Sequence, residues 1–219
     1  MDARKYLAEL VGTFILVAVG SLAIAAANAM DVPVLIVVPF GFGLGLLAAI
    51  QATGHVSGGH YNPAVTLAAW LDDRIEATNA VGYVVAQVIG AIAGSGFVLF
   101  VAGQDAVVGT ASGFPEGRMI NALGVEIVLT AIFLVVILTV TKRAPNQAAF
   151  AIPLTLTVIH FAGIPFSGAS VNPARSLAPA LVAGRFESLW LYLIAPPFGA
   201  VAAVFACGCV REPECCRRC

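Results

Sequence analysis

The sequence has 219 residues, 60% hydrophobic and only 11% charged, with a net charge of −1 and a mean hydropathy of +0.96. A soluble domain of this length carries roughly 25% charged residues, so a water-facing globular surface is excluded and lipid is the solvent that the composition fits. No basic patch offers itself to nucleic acid, and acidic runs are absent.

The first apolar stretch, 7–29, is too long for the apolar region of a signal peptide and has no clear cleavage site, so it reads as a first span. Six apolar segments are long enough to cross about 30 Å of hydrocarbon at about 1.5 Å per helical residue. They lie at 6–28, 33–51, 79–102, 119–141, 147–163 and 188–209. The segments 28–31, 104–118 and 142–146 read as polar or turn-rich links. With the N-terminus inside, the cytoplasmic segments hold Arg4, Lys5, Arg74, Lys142, Arg143, Arg211, Arg217 and Arg218, and the outer ones only Arg118 and Arg185. That asymmetry predicts that both termini are cytoplasmic. Arg175 belongs to neither side.

Two apolar pieces, 63–71 and 173–183, are too short to cross. As helices each reaches only about 13–17 Å, half a bilayer. Each begins with Pro, which costs nothing at a first helical position, after Asn, a preferred N-cap. Each follows a Gly- and Ser-rich run, Ser57-Gly58-Gly59-His60-Tyr61 and Ser167-Gly168-Ala169-Ser170-Val171. Irregular backbone at membrane depth survives only inside protein or beside water. These pieces are therefore expected to be re-entrant loops feeding half-helices along a cavity.

The triplets Asn62-Pro63-Ala64 and Asn172-Pro173-Ala174 lie 110 residues apart, and Glu9 in AELVGT is matched by Glu126 in VEIVLT. Each half reads span, span, half-helix, span. Three full spans per half invert the second copy relative to the first. The fold class is thus an all-α membrane protein of six transmembrane helices and two re-entrant half-helices in an inverted repeat. The chain forms one domain over 1–219, with repeats near 6–102 and 119–209 and a Cys/Arg-rich cytoplasmic tail at 210–219. The half-helix N-termini then meet near the midplane, each with about half a positive charge. Cations and protons are repelled there, while a small neutral polar solute is met by the Asn62 and Asn172 amides. Loop carbonyls around Gly58, Gly59 and Gly168 supply acceptors, and His60 is expected to line the same path.

A charge at membrane depth is expensive, so Arg175, one turn beyond Asn172, is expected to face the pore, where it repels cations and donates to solute. Glu9 and Glu126 are read as supports that accept from the re-entrant loops, Gln87 as an interhelical hydrogen-bonding residue, and His160 as part of a constriction. Phe14, Phe97 and Phe133 are read as lipid-facing or packing residues. The five cysteines (Cys207, Cys209, Cys215, Cys216 and Cys219) lie together at the C-terminal end, so disulfides do not hold the body together; such a cluster can bind a metal or form a disulfide, and it is read here as an exposed, unstructured tail. No acidic cluster beside the Asn pair suggests a coupled transporter. No paired carboxylates, metal-ligand spacing or nucleophile elbow suggests an enzyme, so no cofactor or metal is expected.

The paired Asn-Pro-Ala triplets, the matched Glu residues, SGGHYNPAVT at 57–66 and NPARS at 172–176 resemble the major intrinsic protein (aquaporin) family over nearly the whole chain, about 6–209. The resemblance implies a homotetramer in the plasma membrane with one water-conducting pore per subunit. It places an outer selectivity filter on Phe42, His160, Ala169 and Arg175. Phe and His beside Arg, with Ser176 following, are similar to the water-selective branch. Ala169 and Leu193 depart from it and leave room for glycerol, hydrogen peroxide or ammonia.

Overall fold

A computed structural model of the protein describes residues 2–211. The tail expected over 210–219 falls outside them beyond the last helical turn, and Cys215, Cys216 and Cys219 lie outside them. Among the described residues six helices are long and apolar enough to cross a membrane. The first, α1 (Ala3–Ala29), is capped by Asp2, whose side chain accepts from the Arg4 N–H. Its neighbour α2 (Val34–Ala49) runs on through a π-helical stretch, Ile50–Gly54, into the short α3 (His55–Ser57). The second span therefore extends past the expected end at residue 51 to Ser57. The wider π turn brings the Thr53 hydroxyl to the carbonyls of Ala8 and Ala49 and to the Tyr61 hydroxyl, tying span to loop.

The first half-helix is α4 (Pro63–Leu71), followed by the span α5 (Ala77–Ala102). The link at 104–118 is not irregular throughout. Gly103, at φ +83°, ends α5, and α6 (Gln104–Thr110) buries Val107 and Thr110 against α1, α5 and α9. The link expected at 142–146 shrinks to Ala144 between α7 (Met119–Arg143) and α8 (Pro145–Ser167). Pro145 opens α8 directly because a first-turn residue has no N–H obligation. The second half-helix, α9 (Pro173–Ala183), ends at the left-handed Gly184, and α10 (Leu189–Arg211) completes the order.

The packing repeats itself. In the first half α1 lies against α2 and α5; in the second, α7 lies against α8 and α10; the halves join where α2 meets α8. Each half-helix packs on the last span of the opposite half, α4 on α10 and α9 on α5. Close helix approach rests on matched glycines. A Cβ at Gly90 would fall 2.2 Å from the Leu10 carbonyl oxygen, and one at Gly199 would fall 2.6 Å from that of Ile127. Small residues at such crossings let backbones touch, which is how helices associate in lipid. Large apolar side chains such as Phe40, Phe100, Ile120, Leu154 and Phe205 cover the outer faces, which suits a lipid surround. Phe14 and Phe97 pair on such a face. Phe133, expected among lipid-facing or packing residues, is a packing residue, buried in the core beside the central cavity. Cys207, read with the exposed C-terminal cysteines, is instead buried in α10 against α7, its sulfur 4.0 Å from the Val135 carbonyl.

Candidate functional site

The two half-helices point their N-termini at one another. In each, Asn adopts an extended backbone and caps the helix with its own side-chain oxygen. Asn62 Oδ1 accepts from Ala64 N at 2.8 Å, and Asn172 Oδ1 from Ala174 N at 3.0 Å and Arg175 N at 3.3 Å. Pro63 and Pro173 occupy the first helical positions. The Asn amides also cross the interface. Asn62 Nδ2 donates to the Val171 carbonyl at 2.8 Å, and Asn172 Nδ2 to the Tyr61 carbonyl at 3.0 Å. An amide nitrogen has two N–H groups. One is committed to the opposite loop, which fixes the other, and both Asn side chains line a common cavity.

The accepting carbonyls stand where they do because Tyr61 and Val171 are both left-handed, at φ +48° and +46°. That strain is held by the two buried glutamates. Glu9 accepts from Ser57 Oγ (2.6 Å), His60 N (3.0 Å) and Tyr61 N (2.6 Å). Glu126 accepts from Ser167 Oγ (2.7 Å), Ser170 N (2.8 Å) and Val171 N (2.8 Å). The hydroxyls of Tyr83 and Tyr192 donate to the Ser57 and Ser167 carbonyls, each at 2.7 Å. Gln87 donates to Glu9 and Thr66, the interhelical bonding expected of it. The two loops thus repeat the same carboxylate, tyrosine and Asn-to-carbonyl hydrogen bonds, with the Gln87 contacts added on the Glu9 side.

The cavity has a volume of about 250 Å³. On one side it meets Gly58, Gly59, His60 and the Asn pair; on the other it meets an apolar wall that includes Phe133, Ile152 and Leu156. Thr66 spends its own proton on the Asn62 carbonyl, so His60 Nδ1 donates to it, leaving His60 Nε2 as an acceptor. Near the end of α4 the cavity is lined by Arg74, whose guanidinium is clamped by Asp72 (2.7 Å), Thr141 Oγ1 (2.7 Å) and the Leu138 carbonyl (2.8 Å).

At the opposite end the Phe42 and His160 rings stack at 4.7 Å, 15° from parallel. The Arg175 guanidinium lies 5.0 Å over the Phe42 ring. His160 Nδ1 donates to the Leu156 carbonyl at 2.9 Å, so the unpartnered Nε2 is an acceptor. Arg175 Nη1 donates to Ser112 Oγ in the link between α6 and α7. Phe42, His160 and Arg175 all line the cavity. Ala169 and Gly168 do not. Ala169 is wholly buried at φ +49°, the position Gly59 holds in the other loop, and Gly168 packs beside Gly113 of the same link. Pro63, Ala64, Pro173 and Ala174 shape the half-helices without lining the cavity.

Sequence reasoning did not find Arg74, Phe133 or Ser112 at this site. Arg74 counted only as a cytoplasmic charge, and Ser112 stood in a Gly-rich link with no periodicity to mark it. Hydropathy cannot say which way a Phe turns in a span that is apolar all round.

Six membrane-length helices among the described residues, around two end-to-end half-helices that enclose a cavity lined by Asn, His and Arg side chains as well as an apolar wall, define a polytopic membrane protein. The major intrinsic protein family model matches residues 1–207, and the chain belongs to that family. It is 41% identical over 210 residues to glycerol uptake facilitator protein-like 6 of Lactiplantibacillus plantarum, covering 92% of this chain and 95% of that one. It is 41% identical over 215 residues to aquaporin Z of Photorhabdus laumondii (90% and 93% covered). Nodulin-26 of Glycine max is 38% identical over 220 residues (96% and 79% covered). The fold is similar to the X-ray structure of the aquaglyceroporin from Plasmodium falciparum, with a TM-score of 0.88 over 98% of this chain and 99% of that one, at 23% sequence identity.

Proposed function

We propose that the protein is a passive transmembrane channel that passes water and excludes ions and protons. The observation that carries this reading is the meeting of the two half-helix N-termini at the cavity, with Asn62 and Asn172 each held by the opposite loop. Both N-terminal partial charges face the permeant there, so a cation or proton meets a barrier that water does not. The fixed amide N–H groups offer water two donors, and the His60 ring offers an acceptor. Arg175, Phe42 and His160 act as the narrow outer filter, with Ala169 behind them. Gly58, Gly59 and His60 line the inner path, with Gly168 at the turn of the outer loop. Glu9 and Glu126 keep both loops in register. The channel resides in the plasma membrane bilayer as a homotetramer with both termini cytoplasmic, one pore per single-domain subunit, and it uses no metal or cofactor.

A broader solute range is the second reading. The apolar wall of Phe133, Ile152 and Leu156 opposite the polar row suits the carbon side of glycerol, while hydrogen peroxide and ammonia fit the same donors. Stopped-flow light scattering of proteoliposomes separates the two. Under a sucrose gradient, fast shrinkage with a weak temperature dependence and little glycerol entry supports the water reading. Rapid re-swelling in glycerol moves the protein to the broader one. Flux that saturates with solute, or that is no faster than in empty liposomes, refutes the channel.

A further inference from the structure

We infer that Ser112, in the link between α6 and α7, is a positioning residue that holds the Arg175 guanidinium at the filter and so takes part in solute selection. The inference rests on the proposed role of Arg175. Among the described residues Ser112 is the hydrogen-bond partner of that guanidinium. The hydroxyl does not act alone. Its oxygen lies 2.6 Å from Ser176 Oγ, Ser176 Oγ contacts Ser170 Oγ, and Ser170 Oγ donates to the Asn172 carbonyl at 3.0 Å.

The proton of each hydroxyl follows from its neighbours. The Asn172 carbonyl only accepts, so Ser170 spends its proton there and accepts from Ser176. Ser176 is then committed as a donor and accepts from Ser112. Ser112 in turn has no proton left to offer and presents lone pairs to Arg175. The result is a one-directional relay, from Arg175 through Ser112, Ser176 and Ser170 to the backbone carbonyl of Asn172 at the start of α9. It fixes the cation relative to the half-helix it stands on, through a residue 63 positions away in sequence.

The link is itself anchored for this task. The helix α6 packs on α9. Gly168, at φ +75°, sits so close to the link that a Cβ there would lie 3.2 Å from the Gly113 carbonyl oxygen. A guanidinium with a lost partner keeps its charge but swings about its long stem. The width and donor geometry at the filter then change, although neither Arg175 nor its stacked partner Phe42 has been altered.

Wild type, Ser112→Ala, Ser112→Thr and Arg175→Val are compared in proteoliposomes for water flux, glycerol flux and proton leak down a pH gradient. Ser112→Ala is expected to shift the glycerol-to-water ratio and raise proton leak by about threefold or more, in the direction of Arg175→Val. Ser112→Thr, which keeps the hydroxyl, is expected to restore wild-type values. A purely structural role for the link moves yield and melting but not this ratio. If Arg175→Val changes the readouts and Ser112→Ala does not, the inference on Ser112 is overturned while the filter reading stands. If Arg175→Val changes nothing, the filter reading fails and the inference with it. Should Ser112→Ala not assemble, Ser176→Ala cuts the relay one step further on. A shift of the same sign supports the inference, and unchanged ratios overturn it.

Discussion

Removing the Glu126 side chain tests how the second re-entrant loop is held. The carboxylate is fully buried and accepts from Ser167 Oγ, Ser170 N and Val171 N. Glu126→Ala strands all three donors, and a buried donor without a partner costs about 1–3 kcal/mol, so the loss is about 3–9 kcal/mol. Set against a typical stability of about 5–15 kcal/mol, that is enough to release the loop before the helices part. Glu126→Gln keeps the shape but replaces one acceptor oxygen with an NH2 that cannot accept. At least one donor is stranded, at a cost of about 1–3 kcal/mol. Melting in detergent, followed by size-exclusion elution, should rank wild type above Gln above Ala. Water flux per reconstituted protein should fall in the same order, because Val171 supplies the carbonyl that holds Asn62. An Ala variant that melts with the wild type and conducts equally well would refute the argument. Equivalent changes at Glu9 should be at least as damaging, since Glu9 also accepts from Gln87 at 2.8 Å.

Two further outcomes follow from the same geometry. His160→Gly combined with Phe42→Trp should raise glycerol flux relative to water, because it dismantles the stacked pair at the filter; an unchanged ratio in a folded double variant means that the constriction lies elsewhere. Gly199→Val places its Cβ within 2.7 Å of both Thr130 and the Ile127 carbonyl and must push α7 and α10 apart, lowering folded yield and melting temperature by a cost of about 1–3 kcal/mol or more.

Much of the architecture can be read from the residues because the bilayer leaves few options. Span length, the two Asn-Pro starts and the matched glutamates are enough to place six spans and two half-helices. The ends of the elements are less legible. Residues 50–57 continue the second span only because a π turn lets Thr53 reach Tyr61 and Ala8, a tertiary reward with no local signature. The helix at 104–110 is short and owes its existence to burial of Val107 and Thr110. Side-chain direction is the least legible. In lipid the outer and inner faces are both apolar, so Phe133 and Phe97 look alike in sequence, yet one meets the cavity and the other is exposed. Left-handed backbone at Val171, a β-branched residue, runs against its propensity and is explained only by Glu126 and Asn62. The placement of Arg74 at the cavity, held by Thr141, and of Ser112 against the Arg175 guanidinium is likewise long-range.

The exchange of half-helices between the two halves bears on how the protein is made. The segment α4 leaves the ribosome well before α10, the helix it packs on, and α9 needs α5 from the half already synthesised. A half-helix with an irregular loop cannot rest in hydrocarbon by itself, because its backbone groups have no partners there. Until residues 189 onward arrive, the first half-helix lacks the face of α10 on which it packs. Insertion of the N-terminal spans and closure of the conduit are thus separate events. The second waits for the last helix, so a nascent chain has no finished passage through which the membrane could leak.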